Sequence, residues 1–258
     1  MNEKLILVST PAPGILALTL NRPESANALN TPMALEMKEI LGALPPEARC
    51  VILNGAGKHF CAGADLKERK NMDETAWKAQ HETFRSARDS LLSCPVPVIA
   101  AVHGAVYAGG LELALACDFI YAANDARFAL TEASLGIMPG MGGTQTLPRS
   151  IGARRAKELL FTAKPFSAEE AYGWGMINKL CDAANLMGET LACAQTIAGN
   201  APLSIKAIKQ SVNQGLEENL PEALALELSH YNTLLCSKDR REGIASFNDK
   251  RKPVFKGE

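Results

Sequence analysis

Short apolar runs separated by turn residues mark strands in the first half of the chain. Leu5–Val8 and Ile15–Leu20 lie on either side of Pro13-Gly14, which predicts two strands joined by a turn. Cys50–Leu53 is a third short apolar run and predicts a buried strand. Pro97–Val102 is apolar at every position, as expected of a strand in a parallel sheet covered on both faces.

Helical spacing of apolar residues alternates with these strands. Within Thr31–Leu44 the apolar residues recur at helical intervals behind a polar cap, Asn30, and an early proline, Pro32, which together predict an amphipathic helix. A polar helix is predicted over Glu74–Leu92, and a short helix begins near Gly109. This alternation indicates an α/β fold.

The second half of the chain is predicted to become helical. Asp118–Ala122 and Ile177–Cys181 are its expected strands, and a capping box at Ser167 opens a helix between them. Further on, Pro202 and Pro221 are expected to begin helices, and Asn200 and Asn219 are the expected caps or helix breaks. The composition shift near residue 195 predicts a core over residues 1–195 and a helical C-terminal subdomain over residues 196–258.

Composition narrows the class of protein. The chain has 258 residues, 47% of them hydrophobic, and a formal net charge of −1, which gives no reason to expect a nucleic acid or a membrane surface as a partner. The seven cysteines form no CxxC pair and no Cys/His ligand spacing, so neither a metal site nor a disulfide framework is predicted. The first residues lack a leader-like pattern, so we expect a cytoplasmic protein.

Two acids are the strongest candidates for chemistry. Glu112 lies in a run of glycine, leucine and alanine, and Glu132 precedes the glycine-rich segment Pro139–Gly143. A carboxylate in apolar surroundings is costly unless it is hydrogen-bonded or reactive. Either acid alone could instead form a buried ion pair or end a helix. Together, beside suitable backbone donors, they could transfer protons at the carbons next to a carbonyl group.

Two loops of small residues supply those donors. The segments Phe60–Lys67 and Tyr107–Gly110 each follow a predicted strand and precede a helix, where backbone N–H groups are free. On adjacent strands they could direct two N–H groups at one oxygen, as an oxyanion hole does, although each loop could also be a plain tight turn. The chain contains no glycine-rich nucleotide fingerprint and no G-x-S-x-G motif, and its four histidines are taken as structural or solvated.

Several motifs in order identify a family resemblance. They are Leu20-Asn21-Arg22-Pro23, Phe60-Cys61-Ala62-Gly63-Ala64-Asp65-Leu66, Gly109-Gly110-Leu111-Glu112-Leu113-Ala114, Leu135-Gly136-Ile137-Met138-Pro139-Gly140 and Asp239-Arg240-Arg241-Glu242-Gly243. Over nearly its full length the chain resembles the crotonase (enoyl-CoA hydratase/isomerase) superfamily. The resemblance implies a spiral of ββα units with a helical C-terminal region that forms a trimer or a dimer of trimers.

The resemblance also implies an acyl-CoA substrate and a set of site residues. The catalytic set would be Glu112 and Glu132 with the N–H groups of Ala64 and Gly109, and the CoA thioester would be bound by Ala62, Ala64, Asp65, Leu66, Lys67 and Gly109. No metal and no cofactor is implied, because coenzyme A is part of the substrate. The expected reaction is reversible addition of water to a trans-2-enoyl-CoA.

Other reactions and one other class stay open. The motifs around Ala64–Arg69 and Gly110–Asp118 look most like methylglutaconyl-CoA hydratases, and the same groups would serve an enoyl-CoA isomerase or a carnitinyl-CoA-type dehydratase. A non-enzymatic CoA-thioester- or RNA-binding module is the alternative of a different class. RNA binding is not expected, since the helix Thr31–Leu44 carries Glu36 and Glu39 beside Lys38 and has no basic row.

Two departures from the usual pattern carry expectations of their own. Ala108 stands where the family usually has a glycine, and we expect alanine to be tolerated there if its φ is negative. Tyr107 stands where a smaller aliphatic residue is common. Its hydroxyl would either reach the acyl pocket, which would indicate a polar or branched acyl group, or pack beneath the loop.

Overall fold

The fold is built on two sheets, described by a computed structural model that covers residues 4–258. Its strands are β1 (Ile6–Ala12), β2 (Ile15–Leu20), β3 (Cys50–Gly55), β4 (Val98–Val102), β5 (Ala105–Tyr107), β6 (Phe119–Ala123), β7 (Arg127–Ala129), β8 (Phe166–Ser167) and β9 (Lys179–Cys181). The larger sheet has the order β1-β2-β3-β4-β6-β9, and the smaller has the order β5-β7-β8. In the larger sheet β1 is antiparallel to β2, and the remaining neighbours are parallel.

Eleven helices are described within the same range. They are α1 (Thr31–Gly42), α2 (Leu66–Arg69), α3 (Glu74–Leu92), α4 (Gly109–Leu115), α5 (Gly143–Ile151), α6 (Ala153–Thr162), α7 (Ala168–Gly173), α8 (Leu186–Ala198), α9 (Pro202–Gly215), α10 (Leu220–Leu234) and α11 (Lys238–Asn248). Two consecutive ββα units, β4-β5-α4 and β6-β7-α5, each contribute one strand to each sheet. This repetition brings the start of α4 close to the start of α5.

Strand β4 is buried on both faces, as its apolar sequence predicts. Val98, Ala100 and Val102 face the larger hydrophobic cluster, which includes side chains of α1 and α3. Ile99 and Ala101 face a second cluster that includes side chains of α8. Since successive residues of a strand point to opposite faces, one apolar run fills both clusters, and the sheet is covered by helices on each side.

Local sequence signals fix most helix starts. The Asn30 side chain accepts a hydrogen bond from the Met33 N–H group and begins α1, and Ser167 with Glu170 forms the predicted capping box of α7. Asn219 caps α10 as expected. Asn200 is a helix break rather than a cap, since it lies between α8 and α9, and α9 begins after Ala201, whose side chain has no oxygen to accept a capping bond.

The predicted elements agree with the structure to within a few residues. The polar helix occupies Glu74–Leu92 as predicted, and β2 occupies Ile15–Leu20. The first strand runs on to Ala12, and α1 ends at Gly42 rather than Leu44. The expectation about a leader involves Met1–Glu3, which lie outside the described residues.

The C-terminal helices carry many exposed apolar side chains. Those of α9, α10 and α11 include Ile208, Val212, Leu220, Leu224, Leu228, Tyr231, Ile244 and Phe247, and Leu216, just after α9, is exposed as well. The proposed boundary at residues 195/196 falls within α8, which packs on the larger sheet, and the two-part division stays a prediction. Within residues 4–258 no helix is long and apolar enough to cross a membrane.

Candidate active site

A cavity of about 560 Å³ lies beside the start of α4. Its walls come from the loop before α2, from α3, from the first turn of α4 and from the segment between β7 and α5. The lining residues are Ala62, Ala64, Leu66, Arg69, Trp77, His81, Phe84, Ala108, Gly109, Glu112, Thr131, Glu132, Leu135, Ile137, Met138, Pro139, Gly140 and Met141. Most of these side chains are apolar, so the few charged groups lie in poorly hydrated surroundings.

Two loops with small residues are joined directly beneath this cavity. The Cys61 N–H group donates to the Ala105 carbonyl at 3.1 Å, and the Tyr107 N–H group donates to the Cys61 carbonyl at 3.0 Å. The first turn of α4 then passes so close to Cys61 that a Cβ at Gly110 would lie 2.3 Å from the Cys61 carbonyl oxygen. Glycine at 110 is therefore required by contact, since any side chain would push the two loops apart.

The loops present two free N–H groups to the cavity. Gly109 is the first residue of α4, so its N–H group has no partner within the helix. Neither it nor the Ala64 N–H group donates a hydrogen bond to any acceptor within residues 4–258. The two groups are close, because a Cβ at Gly109 would lie 3.8 Å from the Ala64 nitrogen. Two neighbouring unpaired donors can bind one oxygen atom of a ligand.

Ala108 adopts a strained backbone conformation, so the negative φ on which the tolerance of alanine was expected to depend is not present. Its φ is +49° and its ψ is −125°, a combination that favours glycine. The residue is held there on both sides, since its N–H group donates to the Ala129 carbonyl at 2.7 Å and its carbonyl accepts from the Glu112 N–H group at 3.1 Å. This geometry turns the chain sharply from β5 into α4 and leaves the Gly109 N–H group facing the cavity.

Glu112 is a buried carboxylate in which one oxygen accepts hydrogen bonds from the protein and the other accepts none within residues 4–258. Its Oε1 accepts hydrogen bonds from the Met141 N–H group at 2.7 Å and the Gly143 N–H group at 2.8 Å. Its Oε2 has no hydrogen-bond partner within residues 4–258, and the side chain lines the cavity. Burial raises the pKa of Glu112, and the two N–H donors oppose that rise. One oxygen is thus fixed while the other is available to a ligand.

Glu132 is the second carboxylate in the cavity. It begins a 3₁₀ turn at Glu132–Leu135 and is only 6% exposed, and its buried Oε2 has no hydrogen-bond partner in the described part of the chain. Burial raises the pKa of Glu132 to about 7, with the charge of Glu112 adding to the rise and that of Arg69 opposing it. Near neutral pH this group can therefore act as an acid or as a base.

The structure brings most of the predicted site residues together. Ala62, Ala64, Leu66, Gly109, Glu112 and Glu132 all line the one cavity. Asp65 and Lys67 do not line it. The Asp65 carboxylate caps α2 by accepting from the Lys67 and Glu68 N–H groups and pairs with Arg22 at 2.9 Å, which holds the pKa of Asp65 below its usual value despite the cost of burial. The roles proposed for these residues in binding and catalysis stay predictions.

Sequence reasoning missed the wall formed by α2 and α3. Trp77, His81 and Phe84 lie on one face of α3, and His81, taken as solvated from its neighbours in sequence, forms a hydrogen bond with the Gly140 carbonyl at 2.9 Å. The signal was present, since these residues recur at helical spacing in an otherwise polar helix. Arg69 was also missed, and it places a guanidinium group in the cavity.

Tyr107 does not reach this cavity. It lines a separate pocket beyond the loop, together with His59, His103 and Arg127. The interpretation of Tyr107 as a contact for a polar acyl group is therefore wrong for this chain. His103 there forms a hydrogen bond with the Gly57 carbonyl at 3.1 Å, in keeping with the structural role expected from the sequence.

The polar groups of the site include amide N–H donors and carboxylate acceptors. Within residues 4–258 no group of three or more His, Cys, Asp or Glu side chains is arranged to hold a metal ion. The free cysteines are mostly buried, and burial raises the pKa of the Cys61 thiol beneath the loop to about 11, which makes it a poor nucleophile. The candidate groups for chemistry in the cavity are Glu112, Glu132 and the two N–H groups.

Comparisons with known proteins agree with this geometry. The sequence profile of a family described as enoyl-CoA hydratase/isomerase matches residues 11–258. The chain is 39% identical over 245 residues to the short-chain-enoyl-CoA hydratase of Clostridium acetobutylicum, covering 92% of each chain. It is 38% identical over 253 residues to the mitochondrial methylglutaconyl-CoA hydratase of Mus musculus, covering 95% of this chain and 80% of the relative.

A solved structure establishes the fold class. The crystal structure of an enoyl-CoA hydratase from Bacillus anthracis matches with a TM-score of 0.97 and 40% identity, over 99% of this chain and 100% of that chain. The predicted crotonase-type α/β fold is confirmed. The chain belongs to the enoyl-CoA hydratase/isomerase family.

Proposed function

We propose that the protein hydrates trans-2-enoyl-CoA thioesters reversibly to 3-hydroxyacyl-CoA. The observation that carries this proposal is the presence, in one cavity, of two buried carboxylates beside two unpaired N–H groups. Hydration of a conjugated thioester needs stabilisation of a developing enolate oxygen, a base for water and an acid for Cα. The cavity has one group or pair of groups for each of these tasks.

The Ala64 and Gly109 N–H groups are proposed to bind the thioester oxygen. As water adds at Cβ, negative charge moves onto that oxygen, and donors that are already in place stabilise it without reorganising. Both donors are held by the joined loops, and Gly109 adds the positive end of the α4 backbone dipole. In other enzymes the loss of one such donor lowers turnover by about 10²–10³-fold.

Glu112 is proposed as the base that orients and deprotonates water. The two N–H donors on Oε1 favour the charged carboxylate and fix the side chain. The unpartnered Oε2 is then the atom that accepts the proton from water while the water oxygen bonds to Cβ.

Glu132 is proposed as the acid that protonates Cα. Its raised pKa, about 7, keeps a proton on the carboxyl group at a pH where an exposed glutamate would have lost it. Over one turnover water supplies hydroxide to Cβ, Glu132 supplies a proton to Cα, and Glu112 holds the second proton of water. Return of that proton from Glu112 to Glu132 through solvent restores the enzyme, and the reverse sequence is dehydration.

The test is turnover of purified protein with crotonyl-CoA, followed by loss of the conjugated-thioester absorbance and by identification of the product. We expect 3-hydroxybutyryl-CoA to form, and the reverse reaction to restore the absorbance. The isomerase alternative would be favoured if the protein moved the C=C bond of a 3-enoyl-CoA to a new position and hydrated no 2-enoyl-CoA. Turnover of no 2-enoyl-CoA ester would contradict the proposal.

A second candidate is hydration of 3-methylglutaconyl-CoA, supported by the named relative from Mus musculus and by the motif around Ala64–Arg69. Running this ester beside crotonyl-CoA at matched concentrations compares the two substrates directly. A higher kcat/KM for the branched, carboxylated ester would favour the second candidate, whereas a higher value for crotonyl-CoA would favour a general short-chain hydratase.

The protein is further proposed to act as a homo-oligomer, a trimer or a dimer of trimers. Support comes from the exposed apolar side chains along α9, α10 and α11, such as Leu224, Leu228 and Phe247. Apolar surface of this extent is typical of subunit interfaces. Light scattering of the purified protein at several concentrations gives the mass of the assembly, and a monomer at every concentration would contradict this assignment.

A further inference from the structure

Arg69, at the end of α2, places a positive charge in the otherwise apolar wall of the cavity. Its guanidinium carbon lies 4.3 Å from the centroid of the Trp77 ring and 5.4 Å from that of Phe84, so the group stacks against α3 rather than extending into solvent. Partial burial lowers the pKa of Arg69, although arginine stays charged at any physiological pH.

A buried polar network fixes this side chain from behind. The Arg69 Nε–H group donates to Gln80 Oε1 at 2.7 Å, and Gln80 is only 3% exposed. The Gln80 amide in turn donates to Glu68 Oε2 at 2.7 Å and to Thr31 Oγ1 at 3.1 Å. Because all the hydrogen-bonding groups of the Gln80 amide are used, the arginine is held in one orientation.

The outer edge of the guanidinium has no partner. Neither Nη1 nor Nη2 of Arg69 donates a hydrogen bond to a group within residues 4–258, and Arg69 forms no ion pair with a carboxylate in that range. Glu68, its neighbour in sequence, is occupied by the Thr31 N–H group and Gln80. A partly buried cation without a counter-ion is costly, unless a ligand supplies the counter-ion.

We propose that Arg69 binds a second carboxylate, carried by the acyl group of the substrate, so that the preferred esters are short 2-enoyl-CoAs ending in a carboxylate. A planar guanidinium with its two Nη groups free matches a carboxylate in bidentate geometry. This inference rests on the proposed hydration, since it names the class of acyl group that the same site accepts.

We assign Arg69 to the acyl end rather than to the CoA phosphates, because it shares one cavity with Glu112 and Glu132. Arg69 lines the same cavity as Glu112 and Glu132, the groups proposed to act on Cβ and Cα, and it is near enough for their negative charges to raise its pKa against the lowering caused by burial. A ligand group that binds Arg69 is therefore expected to belong to the acyl chain, near the reacting double bond. A carboxylate one methylene beyond Cβ, as in 4-carboxybut-2-enoyl-CoA, has that position.

The experiment compares matched ester pairs with the wild type and Arg69→Met. For turnover the pair is 4-carboxybut-2-enoyl-CoA and trans-2-pentenoyl-CoA. Arg69 could also alter turnover by acting on the two glutamates, but such an effect is the same for both esters and cancels in the ratio of their kcat/KM values at one pH. For binding without turnover the pair is glutaryl-CoA and pentanoyl-CoA, measured by calorimetry. We expect the wild type to favour the carboxylated member of each pair, and Arg69→Met to lower that preference by about 10–100-fold, as for a charge-assisted bidentate hydrogen bond.

Two further variants sharpen the result. Arg69→Lys keeps the charge without the planar fork, so an intermediate preference is expected if bidentate geometry matters. Lys70→Met removes an exposed neighbouring cation that does not line the cavity, and it should leave both ratios unchanged.

The outcomes separate the inference from the proposed function. Absence of turnover with both enoyl esters would contradict the hydratase proposal, while a preference for glutaryl-CoA lost in Arg69→Met would still support carboxylate binding. Equal wild-type binding of glutaryl-CoA and pentanoyl-CoA would overturn the inference. So would an equal loss for both esters in Arg69→Met, which would assign Arg69 to the CoA moiety or to the fold.

Discussion

Gly63 and Ala108 touch where the two loops below the cavity meet, and a Cβ at position 63 would lie 2.8 Å from the Ala108 Cβ. Gly63 has a φ of +97° and Ala108 a φ of +49°. The close approach of these two residues sets the spacing between the Ala64 and Gly109 N–H groups that follow them. The loop that carries an alanine in place of the usual glycine is therefore opposed by a glycine on its partner loop.

The strain at Ala108 predicts that Ala108→Gly stabilises the protein. A sparsely populated backbone conformation costs roughly 1–3 kcal/mol, and glycine relieves this strain. Glycine also increases the conformational entropy of the unfolded chain, which offsets about 0.4–1 kcal/mol of the gain in stability. We expect a gain of about 1 kcal/mol in the free energy of unfolding, measured by urea denaturation. Ala79→Gly, on the exposed face of α3, is the matched control and should lose about 1 kcal/mol. Destabilisation by both changes would show that Ala108 is unstrained.

Contact between α4 and Cys61 predicts a loss of turnover in Gly110→Ala. The added methyl group would meet the Cys61 carbonyl oxygen at 2.3 Å, so the loops must separate and move the Gly109 N–H group. We expect kcat with crotonyl-CoA to fall by about 10²–10³-fold, as when one oxyanion donor is lost. Gly188→Ala, within α8 and with no atom within 4 Å of the new methyl group, should keep wild-type kcat. Wild-type kcat in Gly110→Ala would show that donor spacing is not limiting.

The assignment of roles to the two acids predicts the behaviour of their amide variants. Glu112→Gln and Glu132→Gln should each lower hydration of crotonyl-CoA by about 10²–10⁴-fold, the usual contribution of a general acid or base. Binding of a saturated acyl-CoA, measured by calorimetry, should persist because neither acid is proposed to hold the CoA moiety. Near-wild-type turnover in either variant would refute the two-acid mechanism.

The sequence predicted the parts of the fold and site that depend on local pattern. The apolar run of β4, the Asn30 cap of α1 and the Ser167 capping box were all readable, because each depends on residues close in sequence. The positive φ of Ala108 was not, because it is imposed by hydrogen bonds to Ala129 and Glu112. Tertiary contacts of this kind override local preference.

Long-range contacts also explain why the surroundings of Glu112 and Arg69 could not be predicted from the sequence. Glu112 stands out in an apolar run, but its donors, the N–H groups of Met141 and Gly143, lie about thirty positions further along the chain, just before and at the start of α5. Arg69 lies in a mixed-charge stretch that is typical of a solvated helix end. Its position in the cavity depends on Gln80 and Trp77, which α3 brings alongside α2.

The raised pKa of Glu132 predicts that the protein loses stability as pH rises through neutrality. In the unfolded chain the group titrates near 4.5, whereas in the fold it titrates at about 7. Between these values the folded state binds a proton that the unfolded state has released, so the stabilising contribution is complete below about pH 4.5 and is lost as pH rises through about 7. The magnitude is of order 3 kcal/mol.

Glu132→Gln removes this titration, which gives a direct measurement of it. We expect the free energy of unfolding of the variant, relative to the wild type, to be higher at pH 8 than at pH 5, in urea titrations at one protein concentration. Glu74→Gln, on the exposed start of α3, serves as the control and should show no such difference. A parallel pH dependence in the wild type and Glu132→Gln would mean that Glu132 ionises as readily in the fold as in the unfolded chain. It would then lack the proton that its proposed role as the acid for Cα requires at neutral pH.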